Sequence, residues 1–309
     1  MNIAQSIEEL IGKTPIIKLN KLKRKYKLYA NIFVKVEAFN PTSSVKDRAA
    51  KQILEDAEKN NLLTKNSVLI EPTSGNFGIS IAMLAALKNY RAILVMPDTM
   101  SIERQKIMKA FGAELVLTEG KLGMKGAIDR ADALSKIIPN SFIPSQFENP
   151  SNPKAHYLNT AKEIYHDLDG KIDFFIAGVG TGGTISGTSK YLKEKINDIK
   201  IIAVEPLGSP ILSKGEKGPH KIQGIGAGFI PKNLDTEIYD KVMIISDDEA
   251  FATSRELART EGILVGISSG GALRSAIKIA SLEENKDKNI IVILPDTGER
   301  YLSTNLFQG

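Results

Sequence analysis

From Val68 onward one pattern repeats: a short, unbroken apolar run, a turn, then a segment with helical periodicity. SVLIE leads into GISIAMLAALKN, RAILVMP into SIERQKIMKAFG, and AELVLTEG into GMKGAIDRADALSKII. FIPSQF precedes AHYLNTAKEIYHDL, and KIDFFIAGVG precedes GTISGTSKYLKEK. IKIIAVEP, two further helices and NIIVILPD complete the series. A strand that is apolar at every position is buried on both faces, and a helix between successive strands makes them parallel neighbours. The pattern therefore predicts an α/β protein of two domains, with mainly parallel twisted sheets flanked by helices. The cluster FENPSNP, Phe147 to Pro153, marks a domain boundary.

Composition narrows the chemistry. Lys and Arg number 41 against 36 acidic residues, so the net charge of +5 is a small excess on a mixed surface. The densest basic run, KLKRKYK from Lys21 to Lys27, reads as a solvated turn and gives no nucleic-acid footprint. The absence of cysteine removes thiol nucleophiles, thiolate metal sites and disulfides together. His156, His166 and His220 are scattered without metal-ligand spacing and read as structural, so no metal is expected. The start MNIAQSIEEL has no apolar signal-peptide core, and the longest apolar run, GISIAMLAAL, is too short to span a bilayer. A cytoplasmic location is expected.

Four motifs could carry chemistry. In FNPTSSVKDR, Ser44 reads as a helix N-cap with Asp47 as its capping-box acid, which puts Lys46 in the first turn. A cation there is disfavoured by ~0.3–1 kcal/mol, so the amine either points into water or is held as a nucleophile. GVGTGG, Gly178 to Gly183, follows a strand and opens a helix, and Glu205 ends the next strand. That is the form of a dinucleotide fingerprint, yet glycine-lined amides at a helix start bind any phosphate. PTSGNFG, Pro72 to Gly78, offers donors at another helix start, suited to a small carboxylate or simply a cap. GISSGGA, Gly266 to Ala272, is a third such turn.

Together, FNPTSSVKDR, EPTSGN, AGVGTGGTISG, GPHKIQGIGAGFIPKNLD, GILVGISSG and LPDTGERY occur in an order that resembles the cysteine synthases. These O-acetylserine sulfhydrylases are fold-type II pyridoxal-phosphate enzymes with a tryptophan-synthase β-like fold, and the resemblance runs from about Ile7 to Phe307. It implies that Lys46 bonds covalently to pyridoxal 5'-phosphate and acts as catalytic base. It implies that Gly180, Thr181, Gly182, Gly183 and Thr184 hold the cofactor phosphate, Asn76 the ring hydroxyl and Ser268 the pyridine nitrogen. Thr73, Ser74, Gly75, Asn76 and Gln146 would receive the substrate carboxylate, with Gly224 to Gly228 lining the opposite face. A smaller mobile domain, 40–150, would carry the carboxylate site. A larger one, 1–39 plus 151–309, would carry the phosphate site, and the active site would lie in the cleft between them.

The chemistry so implied is β-elimination and β-replacement through an α-aminoacrylate, with O-acetyl-L-serine and sulfide giving L-cysteine. A variant would consume cysteine, release hydrogen sulfide and form lanthionine, cystathionine or serine. A nicotinamide oxidoreductase is the reading that GVGTGG and Glu205 alone would support. The partners implied are a small amino acid, sulfide or a thiol, a second copy in a homodimer, and the C-terminus of serine acetyltransferase. One residue departs from the family. Where these enzymes follow the asparagine with threonine, this chain has Phe77. Its ring is expected either to sit over the carboxylate loop, favouring a small leaving group such as the cysteine thiol, or to turn into the helix packing.

Overall fold

A computed structural model describes residues 3–73 and 75–308. The chain divides into two compact units, Met1–Ile11 with Lys46–Asn152, and Gly12–Val45 with Pro153–Gly309. The segment before Gly12, expected with the larger domain, belongs instead to the smaller unit. Ile11 packs on that unit's core, the Glu8 carbonyl accepts a bond from Lys51 at 3.0 Å, and the Glu8 carboxylate pairs with Lys88 at 3.6 Å.

In chain order, β1 (Ile16–Lys18), α1 (Asn20–Tyr26) and β2 (Asn31–Val36) open the larger unit. The smaller unit then runs α2 (Lys46–Lys59), β3 (Val68–Pro72), α3 (Asn76–Lys88), β4 (Arg91–Pro97), α4 (Ile102–Ala110), β5 (Glu114–Thr118), α5 (Gly123–Ile137) and β6 (Ser141–Phe142). After α6 (Ser151–Ala155) and a π-helical turn (His156–Thr160) come α7 (Ala161–Asp167), β7 (Phe174–Gly178), α8 (Gly183–Lys195) and β8 (Lys200–Pro206). The chain closes with α9 (Ile211–Lys214), β9 (Lys241–Ile245), α10 (Asp247–Glu261), α11 (Ile267–Ala280) and β10 (Asn289–Leu294).

The smaller unit holds a parallel sheet in the order β5-β4-β3-β6, and the larger a sheet in the order β1-β2-β10-β7-β8-β9. Among the strands of the described residues, β1 and β2 alone pair antiparallel. Alternate residues of one strand serve opposite faces. On β10, Ile290, Val292 and Leu294 enter one apolar cluster while Ile291 and Ile293 enter another. On β4, Ala92, Leu94 and Met96 separate in the same way from Ile93 and Val95. Both sheets are thus covered on both faces, as the unbroken apolar runs require. α3 is apolar nearly all round and is buried from Phe77 to Ala85, as a helix inside a core must be.

Three local expectations need correction. KLKRKYK is a helix, not a turn: Lys and Arg are good helix formers, and Leu22 anchors α1 by its fully buried side chain. FIPSQF supplies only a two-residue strand, because Pro144 cannot donate to a ladder and Ser145 adopts a left-handed conformation at φ +55°. α2 begins at Lys46 with Val45 before it, while Ser44 forms an isolated bridge with Asp296. Asp47, expected as a capping acid, accepts a bond from the Ser80 hydroxyl at 2.5 Å.

Candidate active site

In the smaller unit, Lys46 is half-buried at the first position of α2. Strand β3 ends in a loop whose first residue, Thr73, still donates its amide to Val95 O at 2.9 Å. The Thr73 hydroxyl turns back to accept from the Gly75 amide at 3.4 Å, and α3 starts at Asn76. Ser74 lies outside the described residues. Gln146 is largely buried in the turn after β6, where its carbonyl accepts a bond from the Asn152 side chain at 2.8 Å. Donors and small residues at the open end of this parallel sheet, beside the start of a helix, suit a small anion.

Phe77 is not part of that surface. Its side chain is 1% exposed and belongs to the apolar cluster that includes Ala49, Ile53, Ala82 and Met108. Of the two expectations for this ring, the structure realises the packing one.

In the larger unit, β7 ends at Gly178 and α8 begins at Gly183. Gly182 has φ +82°, and a Cβ there would come within 2.8 Å of the Leu234 backbone. A Cβ at Gly180 would lie 2.3 Å from the Gly224 carbonyl oxygen. Both positions therefore require glycine, and their bare backbone leaves the α8 N-terminus open to a ligand. The Gly224–Gly228 loop is fixed alongside, with the Gly226 amide donating to Val179 O at 3.0 Å. The ideal Cβ position of Gly224 lies 3.6 Å from Ser268 Oγ, so Ser268 faces this loop from the first turn of α11. The next residue, Ser269, has a buried hydroxyl with no hydrogen-bond partner among the described residues.

Two residues acquire roles that sequence reasoning did not assign. His156, read as structural, is buried, with Nδ1 3.0 Å from Thr160 Oγ1 and Nε2 3.2 Å from Thr184 Oγ1. It therefore backs Thr184 in the first turn of α8. The break to π geometry at His156–Thr160 accompanies it, as such breaks often do at functional sites. Glu71, at the end of β3, is 1% exposed and accepts the Ser145 amide at 3.0 Å and the Gln146 amide as well. Burial pushes its carboxyl up to about 8, against the opposing effect of those two amides.

Glu205 has no room for a ribose. Its carboxylate accepts the Leu212 amide at 2.7 Å, the Ser213 amide at 3.1 Å and the Ser213 hydroxyl, capping α9. The dinucleotide reading loses its acid. What remains is a glycine turn at the start of α8, with Thr181 and Thr184 in it and a neutral serine facing the adjoining loop, an arrangement that suits a phosphate.

A profile of the family described as pyridoxal-phosphate dependent enzymes matches residues 7–296. The chain belongs to that family. Its cofactor is pyridoxal 5'-phosphate, and the glycine cradle is the part of the structure suited to the phosphate. The chain is 52% identical over 306 residues to a cysteine synthase of Buchnera aphidicola, covering 96% of each. A cysteine synthase structure from Entamoeba histolytica superposes with a TM-score of 0.96 at 45% identity, covering 100% of this chain and 92% of the other. A hydrogen sulfide-producing enzyme from Fusobacterium nucleatum gives 0.92 at 48% identity, covering 97% and 100%. Among the described residues no helix is long and apolar enough to cross a membrane, and no cluster of His, Asp and Glu could hold a metal ion.

Proposed function

We propose that this enzyme performs β-replacement on a small L-amino acid, converting O-acetyl-L-serine and sulfide to L-cysteine and acetate. The observation that carries the reading is the glycine cradle at the α8 N-terminus with Ser268 facing the adjoining loop, in a chain half identical to cysteine synthases over nearly its full length. The larger unit would hold the cofactor, with Gly180–Thr184 on the phosphate and Ser268 on the ring nitrogen. The smaller would contribute Lys46 as covalent anchor, Asn76 to the ring hydroxyl, and the substrate-carboxylate site of Thr73, Ser74, Gly75, Asn76 and Gln146.

Bound pyridoxal phosphate supplies an electron sink that labilises the substrate's α-proton and allows the β-substituent to leave. The protein's part is orientation and proton transfer. Lys46, with its amine free, would take the α-proton as general base and return it at the end. Acetate departs from the β-carbon, and sulfide adds there. Ser268 would offer the ring nitrogen a neutral hydroxyl and so impose no proton on it, which would favour prompt loss of the β-substituent. Gly224 and Gly228, having no side chains, leave space along the substrate's other face. A homodimer, a cytoplasmic location and docking of a serine acetyltransferase C-terminus complete the reading, on the strength of the family resemblance.

The likeness to a hydrogen sulfide-producing enzyme favours a second reading, in which cysteine is the first substrate and sulfide is released. One assay separates them. Products are measured from O-acetylserine, cysteine and serine, each with and without sulfide. Cysteine formed from O-acetylserine and sulfide, at a kcat/KM above that of sulfide release from cysteine, supports the first reading. The reverse order supports the second, and no turnover of any of the three defeats both.

A further inference from the structure

The Glu71 carboxyl has no part in the chemistry above, yet it occupies a telling position. It sits one residue before Pro72 on the strand that feeds the Thr73–Asn76 loop. Its bonds go to two successive amides, Ser145 and Gln146, in the turn that follows β6. The β3–β6 ladder itself is short, pairing only Val68 with Ser141 and Leu69 with Phe142. Beyond Phe142, Pro144 and the left-handed Ser145 take the backbone out of the ladder. The Glu71 side chain then replaces the lost backbone acceptors and ties the turn back to β3. The turn is braced within itself by Asn149 Nδ2 to Pro144 O at 3.0 Å and by Asn152 Nδ2 to Gln146 O at 2.8 Å.

We propose that Glu71 is a positioning residue for substrate capture, its carboxyl setting the height and orientation of the Gln146 turn relative to the Thr73–Asn76 loop. The proposal rests on the reading that those two segments receive the substrate carboxylate. A buried acid is an expensive choice for a purely structural tether, since burial of the charged form is penalised. The same burial pushes Glu71 up to about 8, so near neutral pH the tether carries little negative charge beside a site meant for an anion.

The test uses holoenzymes of the wild type, Glu71→Gln, Glu71→Ala, Gln146→Ala and the Glu71→Gln/Gln146→Ala double variant. Glu71→Gln is isosteric, but its amide nitrogen cannot accept a hydrogen bond, whereas the hydroxyl oxygen of the protonated acid still can, so one of the two amides loses its acceptor. The turn should loosen while the fold and the cofactor's absorption stay as in the wild type. Expected is a rise of about tenfold in the KM for the amino-acid substrate, with kcat within about twofold. Gln146→Ala should raise the same KM, and the double variant should be no worse than Gln146→Ala alone, since the two act in series. Glu71→Ala should match or exceed Glu71→Gln where it folds. A wild-type KM in folded, cofactor-loaded Glu71→Gln overturns the proposal, and a raised KM for Gln146→Ala in that case leaves the carboxylate-site reading standing. Fully additive effects in the double variant also overturn it. A wild-type KM for Gln146→Ala brings down the carboxylate-site reading itself, and the proposal with it.

Discussion

Ser80 donates its hydroxyl proton to Asp47 at 2.5 Å, linking the second turn of α3 to the first turn of α2. Both groups are fully buried. The bond therefore joins the helix that starts at Lys46 to the helix that starts at Asn76, the two residues the smaller unit is proposed to offer the cofactor. Ser80→Ala deprives a buried carboxylate of one of its partners, which costs about 1–3 kcal/mol. Denaturant unfolding of the variant and wild type without cofactor should show that loss, with a lowered turnover in the holoenzyme. Wild-type stability would mean that the Asp47 carboxylate is satisfied without Ser80.

Lys46→Ala removes a half-buried side chain at a helix start, so secondary structure and compactness should survive. Turnover should fall by a factor on the order of 10³ or more, because one amine is proposed to serve as both anchor and general base. Borohydride should fix cofactor to the wild type and none to the variant. Retained activity together with borohydride fixation would move the anchor to another lysine.

Phe77→Thr introduces the threonine that the family resemblance leads one to expect, yet the ring's burial sets the outcome. Removing most of a ring that is 1% exposed in the α3 core should cost ~3 kcal/mol of stability. The ratio of kcat/KM for O-acetylserine over cysteine should stay within about twofold of the wild type, since a pocket that is not altered gives no new discrimination. A shift of tenfold or more in a folded variant would show that the ring reaches the substrate after all.

The parts legible in the sequence are those that local physics determines. The apolar runs of β3, β4, β7, β8 and β10 declare burial on both faces, and the glycines at 180 and 182 declare a tight turn with no room for side chains. β2 was hidden because Lys35 interrupts its apolar run. That amine is wholly buried, paired with Glu163 at 2.9 Å and donating to Thr14 O at 2.7 Å. The partner lies well over a hundred residues away, and no local pattern announces it. His156 and Glu71 escaped for the same reason. Each acts through a tertiary bond, to Thr184 and to the turn at Ser145, that spacing along the chain does not encode. Phe77 shows the converse. Its identity is plain in the sequence, but the direction of its ring depends on which face of α3 meets the core.

The acid at Glu71 also predicts a pH dependence whose sign is fixed by burial. Its carboxyl rises from 4.5 to about 8 in the folded protein, so between those values the folded state holds a proton that the unfolded chain has released. Stability from this group is fully present below 4.5 and is lost as pH rises toward about 8, at ~1.4 kcal/mol per pH unit through the window. Glu71→Gln cannot titrate and lacks that slope. Equilibrium unfolding at mildly acidic pH and again slightly above neutrality should show the wild type losing ground to the variant as pH increases, by about 1 kcal/mol per unit. The comparison cancels every other group that titrates alike in both proteins. A difference that stays constant with pH would mean that Glu71 is ionised across the range, its charge carried by the Ser145 and Gln146 amides.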